Sequence, residues 1–225
     1  MHTEIELALY LPANQQTAFI ERVAQLFPAA STPQTQELRS IYYDTPTLEL
    51  ARQGMGLRLR QQGNGWVQTL KFNPPQAATP FSSSVATDDI PANEGLHTRI
   101  EIEHATATQA LELHRIDHPP VRDFLNQSHI ATQLQPVFET RIQRTLWQLS
   151  CHNSLLELAL DVGTIEARQQ SQPVSEIEIE LKHGSADALF AAAQTLQQVF
   201  ALSPQKQNKA ERGYRLLLAA TSAAA

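Results

Sequence analysis

The stretch EIELALYLP, residues 4–12, alternates charged and apolar side chains, and SEIEIELKHG, residues 175–184, repeats that alternation near the other end of the chain. Successive side chains of a β-strand point to opposite faces, so each stretch predicts a strand with carboxylates on one face and Ile or Leu on the other. The two ends of the chain therefore carry matching acidic rows, which the fold has to accommodate.

Other predicted strands carry charged rows of the same kind. Acidic rows and arginine rows are separate, whereas surface strands commonly mix the two signs because neighbouring like charges repel. The charged positions that share a face within their strand are Glu4 and Glu6, Arg58 and Arg60, Glu101 and Glu103, Glu157 and Asp161, and Glu176, Glu178, Glu180 and Lys182.

Two architectures account for these rows. In an ordinary β-sandwich they would be solvated outer faces with the apolar residues inside. In a closed barrel they would line an interior lumen, and the apolar faces would pack against helices predicted within residues 14–27 and 185–202. Carboxylates crowded in a lumen require cations, which indicates Mg²⁺ or Mn²⁺, and the facing Arg and Lys would attract an anion. Metal and guanidinium around one cavity are what phosphoryl transfer needs.

The remaining pattern predicts an α+β chain. A hairpin is predicted around Gly63-Asn64-Gly65, a long loop over 73–96, and helices around 106–115 and 120–127. Further strands are predicted from the segments HTRIEIEH (97–104), PVFETRIQRTLWQL (136–149) and SLLELALDVGTIEA (154–167). No linker divides the chain, so we expect one domain over 1–218 and a frayed Ala-rich tail over 219–225.

Composition narrows the class of protein. The 225 residues include 17 Lys and Arg against 23 Asp and Glu, a net charge of −6, so no nucleic-acid partner is expected. The chain contains one cysteine, lacks a signal-peptide pattern and has no apolar run of the roughly 20 residues that span a bilayer. We therefore expect a cytoplasmic protein without membrane contact; its oligomeric state is not predicted.

Eight short segments carry a family resemblance. In chain order, EIEL, YYDTP, GLRLR, LK, R-x-E-x-E, LALD-x-G, SEIEIEL and KAERGY resemble the CYTH superfamily, the triphosphate tunnel metalloenzymes. The resemblance implies a closed eight-stranded antiparallel β-barrel, a tunnel, with helices packed outside. It is strongest to the bacterial inorganic triphosphatases, here as a stand-alone tunnel domain. The implied activity is Mg²⁺- or Mn²⁺-dependent hydrolysis of a small anionic triphosphate, foremost inorganic tripolyphosphate.

The resemblance also implies roles for particular residues. Arg39, just before SIYYDTP, is a further candidate for the tunnel face. The implied roles are catalysis by Glu4, Glu6, Lys71 and Glu101; triphosphate binding by Arg58, Arg60, Lys71, Arg144, Lys209, Lys182 and Arg212; and metal binding by Glu4, Glu6, Asp161, Glu178 and Glu180.

One position departs from the family pattern. The family signature is E-x-E-x-K, and Ala8 stands where the lysine is expected. Loss of a charged contact in a desolvated site weakens binding or catalysis. Activity through the remaining basic residues, a triphosphate-binding module with little turnover, and replacement of the lysine by Lys182 are all open. A class IV-like adenylate cyclase and a thiamine triphosphatase are alternative activities.

Overall fold

The computed structural model describes residues 1–73 and 94–222. Alternating segments form strands wherever the sequence predicts them, and the Gly63-Asn64 turn joins two strands as expected. The strands of the described residues are β1 (His2–Tyr10), β2 (Gln34–Asp44), β3 (Met55–Gln62), β4 (Gly65–Phe72), β5 (Leu96–Thr106), β6 (Gln135–Cys151), β7 (Ser154–Ala167), β8 (Gln170–His183) and the two-residue β9 (Ser203–Pro204).

Strands β1 to β8 close into one antiparallel barrel. Around the barrel the order is β5-β4-β3-β2-β6-β7-β8-β1, and β1 also pairs with β5, which joins the two edges. In that closure Glu4 lies opposite Arg99 of β5, and Glu6 lies opposite Glu180 of β8. The predicted closed eight-stranded barrel is therefore confirmed, and both acidic rows belong to adjacent strands of it.

The helices predicted within residues 14–27, 120–127 and 185–202 are present, whereas the one predicted over 106–115 is not. Residues 106–115, predicted as a helix, contain the last residue of β5 and only a single 3₁₀ turn, Leu113–Arg115. The final helix continues to Ser222, beyond the start of the predicted tail. The helices are α1 (Gln16–Leu26), α2 (Glu49–Arg52), α3 (Pro119–Leu125), α4 (Ser128–Ala131), α5 (Asp187–Gln197) and α6 (Lys209–Ser222).

The outward apolar faces of the strands are covered by helices. Trp147 of β6 is 1% exposed and meets Phe19 of α1 edge to face, with ring centroids 5.9 Å apart. Leu189 of α5 joins the same cluster, and a second cluster packs α2, α3 and α4 against β2 to β5. Because Ile and Leu point outward into these clusters, the charged faces point into the barrel.

Helix α6 has a different place from the other helices. It packs against β6, β7 and β8 through a third apolar cluster, whose barrel residues include the inward-facing Tyr42 and Phe138. Phe138 stacks on Tyr42 at 4.4 Å and meets Tyr214 of α6 edge to face at 5.0 Å. Helix α6 therefore lies across an apolar end of the barrel interior, and its first turn borders the charged part.

The glycine of KAERGY is required by this packing. A Cβ at Gly213 would lie 2.2 Å from Cε2 of Phe138. We expect Gly213→Ala to lower the free energy of unfolding by about 1–3 kcal/mol, because the ring is held between two tyrosines and cannot move aside. Urea denaturation measures the loss. Ala210→Gly in the same helix is the control, with a loss of about 1 kcal/mol from helix propensity alone. A Gly213→Ala variant as stable as the wild type, or more stable, would contradict the packing argument.

Two further predictions concern the long loop and the absence of a membrane-spanning segment. Residues 74–93, which make up most of the predicted loop over 73–96, lie outside the described residues. Among the described helices, none has the length and apolar character that crossing a membrane requires.

Candidate active site

The inward faces of the barrel enclose a charged cavity of about 330 Å³. Asp161, also predicted as a site residue, lies behind the lining and contacts its residues Arg144 and Lys209. Arg212, the other predicted site residue outside the lining, contacts Glu176, which in turn binds Lys209. The other predicted site residues all line the cavity: Glu4, Glu6, Arg58, Arg60, Lys71, Glu101, Arg144, Glu178, Glu180, Lys182 and Lys209.

A buried ion-pair cluster joins β6, β7 and α6. Both oxygens of Asp161 accept hydrogen bonds from Arg144, at 2.7 and 2.6 Å, and Lys209 Nζ is 2.7 Å from Asp161 Oδ2. Burial opposes ionisation of Asp161, but Arg144 and Lys209 outweigh it and hold its pKa below the ordinary value. Asp161 therefore carries a charge that fixes two cations at the wall of the cavity.

Strand β8 continues this cluster with two further carboxylates. Glu178 accepts from Arg144 at 2.5 Å and from Lys209 at 2.7 Å, and its pKa is well below the ordinary value because these cations outweigh the effect of burial. Glu176 accepts from Lys209 and from Arg212. One oxygen each of Asp161, Glu176 and Glu178 lie within 4.8 Å of one another, a spacing that could hold a metal ion. In this structure lysine and arginine neutralise all three.

The wall formed by β1, β4 and β5 has a second network. Lys71 Nζ is 2.5 Å from Glu4 and 3.4 Å from Glu101, and Arg99 Nη2 is 2.6 Å from Glu6 and 3.5 Å from Glu4. Glu4 has a lowered pKa, since Lys71 and Arg99 outweigh the cost of burial. Cations from two different strands therefore hold the N-terminal acidic pair.

The negative charge of Glu6 is less fully compensated by cations than the charges of the neighbouring carboxylates. Burial, together with the carboxylates of Glu178 and Glu4, raises its pKa to about 7. In the described residues its one ion pair is with Arg99. The lumen therefore contains a point, between β1 and β8, at which negative charge exceeds positive charge.

An excess of positive charge lies on β3. Arg58 and Arg60 form no ion pair with any described carboxylate: Arg58 is 3.5 Å from the hydroxyl of Tyr42, and Arg60 donates to Ser40 Oγ at 3.1 Å. Burial, with Arg58 and Arg144 nearby, lowers the pKa of Arg60 to about 10. A buried and a partly buried guanidinium group without a described carboxylate partner form a site for an anion.

The remaining lining residues lie toward a more exposed part of the cavity. Lys182 Nζ is 2.7 Å from Glu180 and 3.6 Å from Glu157, and the Lys182 side chain is 35% exposed. His2 Nε2 is 3.2 Å from Glu101, and the His2 side chain is 55% exposed. The exposure of both side chains indicates that they border an entrance to the cavity.

Two site residues were absent from the sequence prediction of roles, and one candidate was wrong. Arg99 shares the face of Glu101 and Glu103 by strand parity, so the alternation itself could have placed it in the lumen. Glu176 was visible in the acidic row, but its pairing with α6 was not. Arg39 does not face the tunnel: its parity is outward, and it pairs with Glu139 on the barrel surface.

Comparison with known proteins shows the family of this chain. The model of the CYTH domain family matches residues 2–214. The chain belongs to the CYTH domain family. This CYTH chain is 34% identical over 186 residues to an inorganic triphosphatase of Haemophilus influenzae, which covers 80% of this chain and 46% of the relative. The chain thus spans about half the length of that curated relative.

Solved structures support the CYTH fold alone, because their sequences are distant. HpAC1 from Hippeastrum, described as an adenylyl cyclase candidate with a dominant triphosphatase activity, superposes with a TM-score of 0.62 at 14% identity and covers 96% of both chains. An adenylate cyclase candidate from Bacillus halodurans gives 0.56 at 21% identity, covering 94% of this chain and 98% of its own. The closed barrel of this CYTH domain is therefore the common architecture.

Proposed function

We propose that this CYTH domain hydrolyses inorganic tripolyphosphate to pyrophosphate and phosphate with a divalent cation. The observation that carries the proposal is the division of the lumen: the buried guanidinium group of Arg58 and the partly buried one of Arg60, which form no ion pair with a described carboxylate, face an under-compensated acidic wall. Tripolyphosphate supplies an anion for the two arginines, and the accompanying divalent cation supplies positive charge for the acidic wall. The similarity to an inorganic triphosphatase over 80% of the chain supports the choice of substrate.

The anion is held by the basic side of the lumen. Arg58 and Arg60 are free to donate to phosphate oxygens without breaking an ion pair, whereas Lys71, Arg144 and Lys209 each already bind a carboxylate. Guanidinium groups match the paired oxygens of a phosphate, and they neutralise charge that develops during phosphoryl transfer. Arg58 and Arg60 therefore hold the substrate, and the three paired cations contact it from the surrounding wall.

A divalent cation fits the acidic side of the lumen. The lining contains carboxylates and Lys or Arg side chains in nearly equal number, so a polyanion would leave negative charge in excess unless a cation accompanied it. The donors are all carboxylate oxygens, the ligand type of Mg²⁺ and Mn²⁺. Glu4, Glu6, Glu178 and Glu180 are the proposed ligands. Asp161 would instead anchor Arg144 and Lys209, to which both its oxygens are bonded.

Hydrolysis forms one bond between water oxygen and the terminal phosphorus and breaks the bond from that phosphorus to the bridging oxygen. The electron pair leaves with pyrophosphate. A bound divalent cation would supply charge neutralisation and orient the attacking water. Lys71, Arg144 and Lys209 neutralise the terminal phosphate oxygens, and the acidic wall accepts the proton that water loses. Residues 1–218 are proposed to suffice for this hydrolysis. The single cysteine is compatible with a cytoplasmic location, which we also propose.

A substrate panel tests the proposal. Phosphate release is measured from tripolyphosphate, ATP and thiamine triphosphate, with Mg²⁺, with Mn²⁺ and after chelation by EDTA. We expect tripolyphosphate to be hydrolysed fastest, with release abolished by EDTA. Absence of cation-dependent release from all three substrates would overturn the proposal, and formation of cyclic AMP from ATP would replace it by the cyclase activity.

Ala8 favours one second candidate, a triphosphate-binding module with little turnover. That candidate predicts tight binding of tripolyphosphate by calorimetry without phosphate release, and recovery of turnover in Ala8→Lys. The hydrolase proposal predicts turnover by the Ala8 protein itself. The same panel, run on both proteins, separates the two functions.

A further inference from the structure

We infer that His97 is a positioning residue, which fixes the main chain in front of α6 and thereby the place of the Lys209 ammonium group in the lumen. This inference rests on the proposed function and deepens it, because Lys209 is one of the cations proposed to neutralise the terminal phosphate. His97 lies outside the eight sequence segments that carry the family resemblance, so none of the roles implied by that resemblance falls on it.

His97 is an inward-facing residue near the start of β5. It lies opposite Glu6 of β1 and two residues before Arg99, so strand parity places its ring on the charged face. The residue is partly buried, and its Nε2 lies 3.2 Å from the main-chain carbonyl oxygen of Gln205. A carbonyl oxygen only accepts hydrogen bonds, so Nε2 carries a proton and donates. The ring thus ties β5 to the segment that precedes α6.

Residues 203–208, which we call the connector, consist of β9 and the four residues that lead into α6. The N–H of Gln205 donates to the carbonyl of Ala8 at 2.8 Å, and the N–H of Ala8 donates to the carbonyl of Gly95 at 2.8 Å. A Cβ at Gly95 would lie 2.6 Å from that Ala8 oxygen, so three chain segments meet without space for a side chain there. Ala8 therefore holds the N–H of Gln205 and His97 holds its carbonyl, and together they set the direction in which the chain leaves toward α6.

The path from Gln205 to the helix is short and constrained. The Glu211 N–H donates to Asn208 Oδ1, and the Asn208 N–H donates to Glu211 Oε2, both at 3.0 Å, which is a reciprocal capping box at the start of α6. Only residues 206 and 207 separate the carbonyl that His97 holds from this capped turn. A rotation of the peptide after Gln205 would therefore displace the first turn of α6.

Displacement of that turn changes the position of Lys209. Its Nζ lies 2.7 Å from Asp161 Oδ2 and 2.7 Å from Glu178 Oε1, so carboxylates of two strands fix its place. Misplacement of a catalytic group by about 1 Å can lower turnover by up to about 10²-fold. Arg58 and Arg60, which hold the substrate, project from β3 and donate hydrogen bonds to β2. Loss of the hydrogen bond to the connector should therefore lower kcat more than it raises KM.

Three variants test the inference by steady-state hydrolysis of tripolyphosphate with Mg²⁺. His97→Leu removes the donor, and we expect kcat to be roughly tenfold lower, with KM within about threefold of the wild type. His97→Gln retains an N–H donor near the position of Nε2 and should keep kcat within about threefold of the wild type. His129→Leu is the surface-histidine control, because the His129 side chain is 57% exposed on α4, and its kcat should stay within about twofold.

A double-mutant cycle with Lys209→Met distinguishes positioning from a general structural role. His97→Leu should lower kcat in the wild-type background but change it by less than about twofold in Lys209→Met, because the group that it misplaces is then absent. Equal losses in both backgrounds, or a His97→Gln variant as slow as His97→Leu, would overturn the inference. If His97→Leu does not fold, His97→Asn replaces it with the same expectation, since the shorter amide does not reach the connector.

Amide hydrogen exchange tests the positioning without turnover, and it decides the question if Lys209→Met or the wild type releases no measurable phosphate. Protected amides of residues 205–212 should exchange about two- to tenfold faster in His97→Leu than in the wild type, which corresponds to one lost hydrogen bond, and at the wild-type rate in His97→Gln. Helix α5 is the internal reference. Unchanged exchange in His97→Leu overturns the inference. Faster exchange in a protein that releases no phosphate supports it, and the proposed function alone then fails.

Discussion

Arg60→Gln is expected to lower kcat/KM for tripolyphosphate by roughly 10²–10³-fold and, in the same protein, to raise the melting temperature measured without ligand. Arg60 is partly buried beside Arg58 and Arg144; desolvation and these two cations lower its pKa to about 10, so its charge is disfavoured in the folded protein. Removal of that charge relieves repulsion. The guanidinium group is thus retained at a cost to the stability of the free protein.

The opposite signs of the two effects make this prediction specific. Thermal unfolding is followed with and without tripolyphosphate, and the ligand-induced shift should be smaller in Arg60→Gln than in the wild type. Arg141→Gln is the matched control, because Arg141 is an arginine of β6 whose side chain is 55% exposed and pairs on the surface. A variant that loses both activity and thermal stability would contradict an anion-binding role and indicate a structural one.

Asp161→Asn is expected to have the largest effect on stability, a loss of roughly 3–5 kcal/mol in the free energy of unfolding. Asp161 is 1% exposed, and both its oxygens neutralise buried cations, Arg144 and Lys209. The amide leaves those cations with one carboxylate fewer. Urea denaturation at pH 7 measures the difference, and tripolyphosphate should restore more stability to the variant than to the wild type, since the ligand returns negative charge.

The pH dependence of that difference has a defined sign. The folded-state pKa of Asp161 lies below its ordinary value of 3.8, so its stabilisation is fully present above that value and is lost as pH falls below it. The stabilities of the wild type and Asp161→Asn should therefore begin to approach each other as pH falls below about 4. A difference that stays constant from pH 7 to pH 3 would show that the charge of Asp161 is not the cause.

The alternation of charged and apolar residues predicts most of the fold and much of the site. In EIEL and SEIEIEL the parity of each side chain decides whether it faces the lumen or the helices, so the inward carboxylates follow from local sequence. The same rule covers Arg99, opposite Glu4, and it excludes Arg39, whose parity is outward. The error at Arg39 arose because a family motif was extended by proximity in sequence rather than by face.

What sequence could not provide is which inward residues meet. Glu176, Glu178 and Glu180 occupy equivalent positions of one row, yet Glu176 binds Lys209 and Arg212 of α6, and Glu180 binds Lys182. That division depends on where α6 crosses the barrel interior, a tertiary arrangement with no local pattern. The predicted helix over 106–115 was wrong for a related reason: strand pairing with β4 extends β5 to Thr106.

The closure of the barrel by β1 also has a consequence for synthesis of the chain. Its partners are β5, β8 and the two-residue β9, so the first strand made gains its final neighbours only near the end of synthesis. Until β8 has left the ribosome one edge of β1 is unpaired, and until α5 follows its apolar face lacks its final cover, a state that favours association with other chains. Its buried Glu4 and Glu6 are charged residues at inward positions of an edge strand, and such charges hinder pairing with a foreign strand. The two glutamates that pair with Lys71 and Arg99 in the finished tunnel would thus protect the nascent chain against aggregation.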